Sequence, residues 1–180
     1  MIIEPVRPFL ACEFRVKSAT EAWERNRAWA LRREVFCQEQ GLFGDDDRDS
    51  IDDVAIALVA LSSLAITHED VVGTVRIHQQ QPGLWWGSRL AVARPYRKVG
   101  AIGTSLIRLA VGSARGFGCQ RFLAHVQSGN APLFHALRWR TLEEVMLHGR
   151  PHHFMQADLA HYPALTTPET GFLSHLKQAA

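Results

Sequence analysis

Several things are scarce in this sequence. No apolar run approaches the roughly 20 residues that a membrane-crossing helix needs, so no membrane partner is expected. Cysteine is limited to Cys12, Cys37 and Cys119. Three widely spaced cysteines fit no disulfide framework, zinc site or redox pair, and are expected to be reduced thiols of a cytoplasmic protein. Net charge is almost absent, with Lys+Arg 20 against Asp+Glu 18, which gives no electrostatic case for a nucleic acid. The start of the chain carries Glu4, Pro5 and Pro8 without an apolar core segment, so no secretory signal is expected. The Gly-x-Gly-x-x-Gly dinucleotide fingerprint and the Gly-Lys-Ser/Thr element of a P-loop are both missing. What remains is an ordinary globular composition, 47% hydrophobic and 21% charged over 180 residues. One domain spanning 1–180 is expected, with a core of about 12–160 between a loose arm and a tail.

Periodicity supplies the elements. Cys12–Lys17 alternates like a strand. Ser18 and Glu21 stand at capping-box spacing, so a helix is expected to begin there. Its apolar stripe is read as Ala22, Trp29 and Phe36 with Trp23, Ala30 and Cys37. Arg33 falls inside that stripe, where a guanidinium needs a carboxylate, and Glu39 is the obvious partner. The acidic stretch Gly44–Ser50 reads as a solvated loop, lacks calcium-loop spacing, and suggests no metal. Strands are expected at Val54–Leu64, Val71–His78, Leu84–Val92, Gln120–Gln127, Arg140–His148 and His152–Leu159, with Thr67–Asp70 as a turn. Helices are expected over Gly103–Gly116, with Gly118 capping it, and Asn130–Leu137. The order implies an α/β (α+β) fold: a mixed, mostly antiparallel central sheet of about six to seven strands with helices on both faces. An apolar edge near the C-terminal hairpin would suit a homodimer.

The segment Arg89-Leu-Ala-Val-Ala-Arg-Pro-Tyr-Arg-Lys-Val-Gly-Ala-Ile-Gly-Thr-Ser105 carries the most information. A buried strand runs into a glycine-containing turn and then directly into a helix. The first backbone N–H groups of a helix lack internal partners and form the positive end of its dipole. Gly100 and Gly103 let a phosphate approach the backbone, and Arg97 and Lys98 add positive charge. A pyrophosphate cradle and a tight structural turn both satisfy this pattern.

The whole chain resembles the GCN5-related N-acetyltransferase (GNAT) family. Leu90-Ala91-Val92 stands where that family has a strand ending before its Arg/Gln-x-x-Gly-x-Gly/Ala loop, here Arg97-Lys-Val-Gly-Ala-Ile-Gly103. Either the loop is one residue longer, or Lys98, Ala101 and Gly103 form the frame. Leu31–Leu42, Val72–Arg76, Ala124–Gln127, Asn130–Trp139 and Gly149–Met155 resemble further family segments. Trp85–Val92 and His148–His153 are similar to a group of acetyltransferases encoded beside nitrilase-type genes and linked to nitrogen starvation.

The resemblance implies acetyl-CoA as co-substrate and a small-molecule amine as acceptor. It places the coenzyme against Leu90, Ala91, Val92, Arg97, Lys98, Val99, Gly100, Ala101, Ile102, Gly103, Thr104, Asn130 and Phe134. The family's usual acid is a Tyr where this chain has Phe134, and His135 should point about 100° away. Candidates for the base are Glu39 and His125, because a carboxylate or an imidazole can take an amine proton near neutrality. Arg33, Cys37, His78 and Trp86 are candidates for the acceptor pocket. The Arg-x-x-Val-Phe helix, acidic loop and hairpin also resemble acyl-homoserine-lactone synthases, which use S-adenosylmethionine. A non-catalytic acyl-CoA-binding partner protein is a third reading.

Overall fold

The computed structural model describes residues 13–64, 67–97 and 101–175. Cys12, Lys98, Val99 and Gly100 lie outside the described residues. Strands β1 (Glu13–Ser18), β2 (Ile56–Leu64), β3 (Thr67–Gln81), β4 (Leu84–Val92), β5 (Arg121–Gln127), β6 (Trp139–Leu147), β7 (Arg150–Ala157) and β8 (Phe172–His175) form one sheet, ordered β6-β7-β5-β4-β3-β2-β1-β8. Only β4 and β5 run parallel; the other six pairings are antiparallel. Helices α1 (Ala22–Arg32), α2 (Ile102–Gly116) and α3 (Ala131–Ala136) complete the fold.

Strand β2 explains the layering. Leu58, Val59, Ala60 and Leu61 are all fully buried, which requires cover on both faces. Helix α1 covers one face, where Ala28, Leu31, Val35 and Phe36 pack with Val59, Leu61, Val71 and Ala91. Helix α2 covers the other, placing Ile102, Leu106 and Leu109 over Phe14, Val16, Leu58, Ala60 and Ile77. Each fully buried Leu there contributes about 1.5–3 kcal/mol. Helix and sheet approach so closely at Gly73 that a Cβ would lie 2.7 Å from Ile102 Cγ2.

Three local expectations are corrected. The inward face of α1 is Glu24, Ala28, Leu31 and Arg32, continued by Val35 and Phe36. Of the expected stripe only Phe36 is buried, and Ala22, Trp23 and Ala30 are exposed. The helix also widens into a π-helical stretch over Arg33–Glu39, with Gln40 N–H bonded to Val35 O at 3.1 Å. The cap is Glu21 rather than Ser18. Glu24 Oε2 accepts the N–H groups of Thr20 and Glu21, and Glu24 Oε1 pairs with Lys17 Nζ at 2.7 Å, while Ser18 N–H goes to Pro168 O. Thr67–Asp70 is strand, because β3 extends its hairpin with β2 to a Leu64–Thr67 pair.

The tail after Pro163, weakly patterned in sequence, lies along α2 and ends in an eighth strand on β1. Arg115 Nη1 donates to the carbonyls of Leu159 and Tyr162, and Leu165 N–H to Gly112 O. Gly171, at φ +59, lets this segment enter the sheet edge; a Cβ there would sit 1.8 Å from Val16 O.

Candidate active site

The site originates in a fault in the sheet. β4 and β5 pair only from Leu84–Arg121 to Gly87–Ala124, and then diverge. On its other edge β4 carries a bulge: Thr74 faces Ala91 and Arg76 faces Ser88, so β4 holds one residue more than β3. Arg89 lies in that bulge at φ +56. A bulge bends and twists its strand, which turns β4 away from β5. A left-handed non-glycine residue costs about 1–3 kcal/mol. Arg89 offsets this with an ion pair to Asp47 Oδ2 at 2.9 Å and a place over the Phe43 ring, 4.3 Å from its centroid.

A cavity of about 610 Å³ passes through the fault. On the α2 side it is walled by Ile107, Ala110, Asn130 and Phe134. On the α1 side it is walled by Gln40, Phe43, Arg76, His78 and Trp86. Leu90 and Ala124–Val126 line the passage between them.

Helix α2 contributes Ile107 and Ala110 to this lining, and its N-terminus, Ala101–Thr104, lies outside it. The first helical bond is Ser105 N–H to Ala101 O, so the N–H groups of Ile102, Gly103 and Thr104 have no intrahelical acceptor. Ile102 is buried and anchors the turn. Gly103 is open: a Cβ there would meet only Val92 Cγ2, at 4.0 Å. Such an open helix start with free N–H groups suits a negatively charged group.

Residues 11–139 match the sequence model of the Acetyltransferase (GNAT) family. The chain belongs to the GNAT family. Solved structures agree on the fold. A Lactobacillus plantarum protein assigned provisionally as an N-acetyltransferase superposes with TM-score 0.72 at 22% identity, covering 81% of this chain and 98% of that one. Escherichia coli ElaA gives 0.61 at 16%, covering 82% and 99%. The CoA-dependent acyl-homoserine lactone synthase BjaI, solved with SAM and isopentyl-CoA, gives 0.61 at 18%, covering 81% and 83%. No curated protein sequence matches the chain.

In this GNAT chain the expected residues divide between the cavity lining and its outside; of the expected coenzyme contacts, Ala91, Val92, Arg97, Ala101, Ile102, Gly103 and Thr104 are outside it. Leu90, Asn130 and Phe134 line the cavity. Phe134 packs edge-on against Trp139, ring centroids 5.0 Å apart. His135 turns away, with Nε2 3.0 Å from Thr141 Oγ1. Arg97 bonds Val92 O through Nε and Glu39 Oε2 through Nη1, at 2.8 and 2.7 Å. Glu39 is thus the partner of Arg97, not of Arg33, and neither Glu39 nor Arg33 lines the cavity. Arg33 is exposed. Cys37 is outside the lining as well, and burial together with Asp47 pushes its thiol up.

His78, Trp86 and His125 come together on the α1 face. His78 faces Trp86 across the β3–β4 ladder, and the His125 ring lies 5.3 Å from the Trp86 ring. Phe154 stacks on Trp86 at 5.7 Å. Burial and then Arg76 hold His78 below the ordinary histidine value; burial and then His152 do the same for His125. Both are therefore neutral at pH 7, with a nitrogen able to accept a proton.

The buried guanidinium that the sequence placed at Arg33 is Arg32. It binds Asp47 at 2.8 Å and Asp52 at 2.6 Å. Arg76 binds Asp49 and Asp52, both at 2.7 Å. The acidic loop is not simply solvated: it is tied into an ion network in which Asp47 is buried, and Asp47, Asp49, Arg76 and Arg89 of that network line the cavity. Asp52 sits well below the usual carboxylate range: burial opposes ionisation, but Arg32, the Asp49 N–H and Arg76 outweigh it. Arg32, Asp47, Arg76, Arg89, Phe43 and His148 are the site residues that sequence reasoning missed. The Asp-rich run and the Arg-x-x-Val-Phe pattern were visible signals, but their pairing requires the fold. Among the described residues no cluster of three or more His, Cys, Asp or Glu is arranged to hold a metal, and no helix is long and apolar enough to cross a membrane.

Proposed function

We propose that the protein moves an acetyl group from acetyl-CoA to the amine of a small molecule by direct attack on the thioester. The observation that supports this most is the cavity running through the split between β4 and β5, with an aromatic, histidine-bearing chamber on its α1 side and, on its other side, the helix α2 whose first N–H groups are unpaired. Acetyl-CoA supplies an activated acyl thioester. In this reading the N–H groups of Gly103 and Thr104 hold its phosphates, with Arg97 beside them. The unpaired edge of β4 at Leu90–Val92 offers backbone groups to the pantetheine arm and to the thioester oxygen, where negative charge develops during attack. Asn130 and Phe134 wall the arm on the other side.

The acceptor enters from the α1 face, between Trp86 and His78. A C–N bond forms, the C–S bond breaks, and the amine proton leaves. His125 is the base this reading favours, because its neutral ring lines the chamber. Glu39 ranks behind it, being tied to Arg97 on the donor side. Phe134 has no proton to give, so coenzyme A leaves as thiolate. Assignment to the nitrilase-associated group rests on the lengthened glycine loop and on Trp85–Val92 and His148–His153.

Calorimetric titration with acetyl-CoA, run beside S-adenosylmethionine, tests the donor. Acetyl-CoA binding followed by coenzyme A release with an amine panel is the expected result. Binding of S-adenosylmethionine alone would overturn it in favour of lactone-synthase-like chemistry, and acetyl-CoA binding with no release across the panel would leave a sensor.

A further inference from the structure

The split between β4 and β5 needs something to fix its width, and the ladder between them stops too early to do so. Beyond Gly87–Ala124 the edge of β5 that faces β4 has no strand partner. Its other edge still pairs with β7, from His125–Phe154 to Gln127–His152. Leu90–Val92 lies on one side of the split and His125 on the other.

One segment crosses from side to side on the α1 face. The π-helical stretch ends at Gln40, and Gly41, at φ +60, turns the chain out of the helix. Leu42 and Phe43 then pack against Val35, Phe36, Val59 and Ala91, and Arg89 lies over the Phe43 ring. The segment is thereby anchored on the β4 side. From there it makes three contacts with the opposite side. Gln127 Nε2 donates to Gln40 Oε1 at 2.9 Å. Arg150 Nη2 donates to Gln40 O at 2.7 Å. The Phe43 and His148 rings lie 4.9 Å apart. Gln127 is the last residue of β5, and His148 and Arg150 stand at the β6–β7 turn. All three contacts therefore land on β5 or on the hairpin paired with it. Gln127 follows His125 by two residues and shares its face of the strand. The Gln40 and Gln127 side chains are half-buried and bonded to each other, so a change in their separation moves the end of β5 that carries His125.

We propose that Gln40 and Gln127 are positioning residues for acyl transfer. Their side-chain bond, backed by Arg150 on Gln40 O, sets the distance from His125 on β5 to a thioester held along Leu90–Val92 on β4. The inference rests on the acyl-transfer function proposed above. There the amine forms the C–N bond as the C–S bond breaks, its proton passes to His125, and coenzyme A leaves as thiolate. Neither glutamine enters those bond changes. A misplacement of about 1 Å between reacting groups lowers a rate by up to about a hundredfold.

The test follows coenzyme A release from acetyl-CoA by the full chain, with butylamine, 2-phenylethylamine, glycinamide and spermidine as acceptors. Gln40→Met and Gln127→Met keep the side-chain length and lose the bond. Each should lower kcat about tenfold or more, while KM for both substrates and the melting temperature change little. Gln40→Glu and Gln127→Glu each still leave an amide N–H facing an oxygen, so each conservative variant should recover most of kcat. The double Glu variant sets two carboxylates against each other and should lose it again. A glutamine that only touched the acceptor would raise KM and would not give that pattern. Amide exchange at Leu42, whose N–H bonds Phe36 O at 2.9 Å, should quicken in both Met variants. Wild-type kcat in the Met variants, a loss confined to KM, unchanged Leu42 exchange, or a double Glu variant as active as the single ones overturns the assignment. Should the double variant fail to fold, the Met pair decides. Absence of release by the wild type with acetyl-CoA bound would instead overturn the acyl-transfer reading on which the assignment rests.

Discussion

Exchange of one arginine for methionine at two adjacent positions gives a sharp test of the α1 face. Arg32 is 3% exposed and donates to Asp47 Oδ2, to both oxygens of Asp52, and to Asp47 O. Arg33 is exposed. Arg32→Met fills much of the same volume but leaves two buried carboxylates short of a partner, a loss that typically costs about 3–5 kcal/mol. Arg76 and Arg89 remain and favour the lower end. At roughly 2–4 °C per kcal/mol for a chain of this size, melting should fall by roughly 6–20 °C. Arg33→Met should stay within about 0.5 kcal/mol of wild type. Urea unfolding at pH 7, with thermal melts beside it, measures both. The stabilisation from Asp52 is present above its unfolded value of about 3.9 and is lost as pH falls through its depressed folded value. The gap between wild type and Arg32→Met should therefore persist at pH 5 and close only in strong acid. Equal losses for the two variants, or a loss below about 1 kcal/mol for Arg32→Met, would refute the assignment of the buried guanidinium.

Three further outcomes are expected. Gly103→Val should weaken acetyl-CoA binding at least about tenfold without lowering the melting temperature, since its Cβ meets only Val92 Cγ2 at 4.0 Å; unchanged affinity would remove the anion cradle. The kcat/KM profile should fall on the acid side with an apparent pKa below about 6.5, because burial and His152 depress His125; His125→Asn should abolish that limb and Glu39→Gln preserve it, and the opposite pattern would exchange the two roles. Gly171→Ala should destabilise the chain by roughly 1–3 kcal/mol and speed amide exchange in Phe172–His175, the strand that the close approach to Val16 O secures.

Much of the architecture was legible because its signals are local. The unbroken apolar run of β2, the dense apolar helix α2 and the Leu90-Ala91-Val92 strand each declare themselves within a dozen residues. The phase of α1 did not, because Trp23 and Ala30 are as apolar as the residues that face inward, and only contact with Val59 and Leu61 selects between the faces. The acidic loop looked solvated because its charge partners lie on α1, β3 and β4, far away in sequence. Strand β8 is short and exists through its pairing with β1 and the space left by Gly171. At the site, the strand, the glycine and the helix start were visible in succession. The chamber was not, since it depends on the bulge at Arg89 and on the gap it opens.

That gap divides the sheet mechanically. One panel holds β6, β7 and β5; the other holds β4, β3, β2, β1 and β8; and the seam between them has four residue pairs, from Leu84–Arg121 to Gly87–Ala124. Helix α2 packs against β1, β2, β3 and β4 of one panel, while no strand pairing closes the wedge beyond Gly87. A molecule lodged in the wedge touches both panels and acts as a keystone. Its occupancy stabilises the closed seam by RT ln(1 + [L]/Kd), about 2.7 kcal/mol at a hundredfold excess over Kd. Amide exchange should then slow on both banks of the wedge, in Leu90–Val92 and His125–Gln127, while the far edges stay as they were. The defect that opens the sheet also makes the rigidity of its two halves depend on what lies between them.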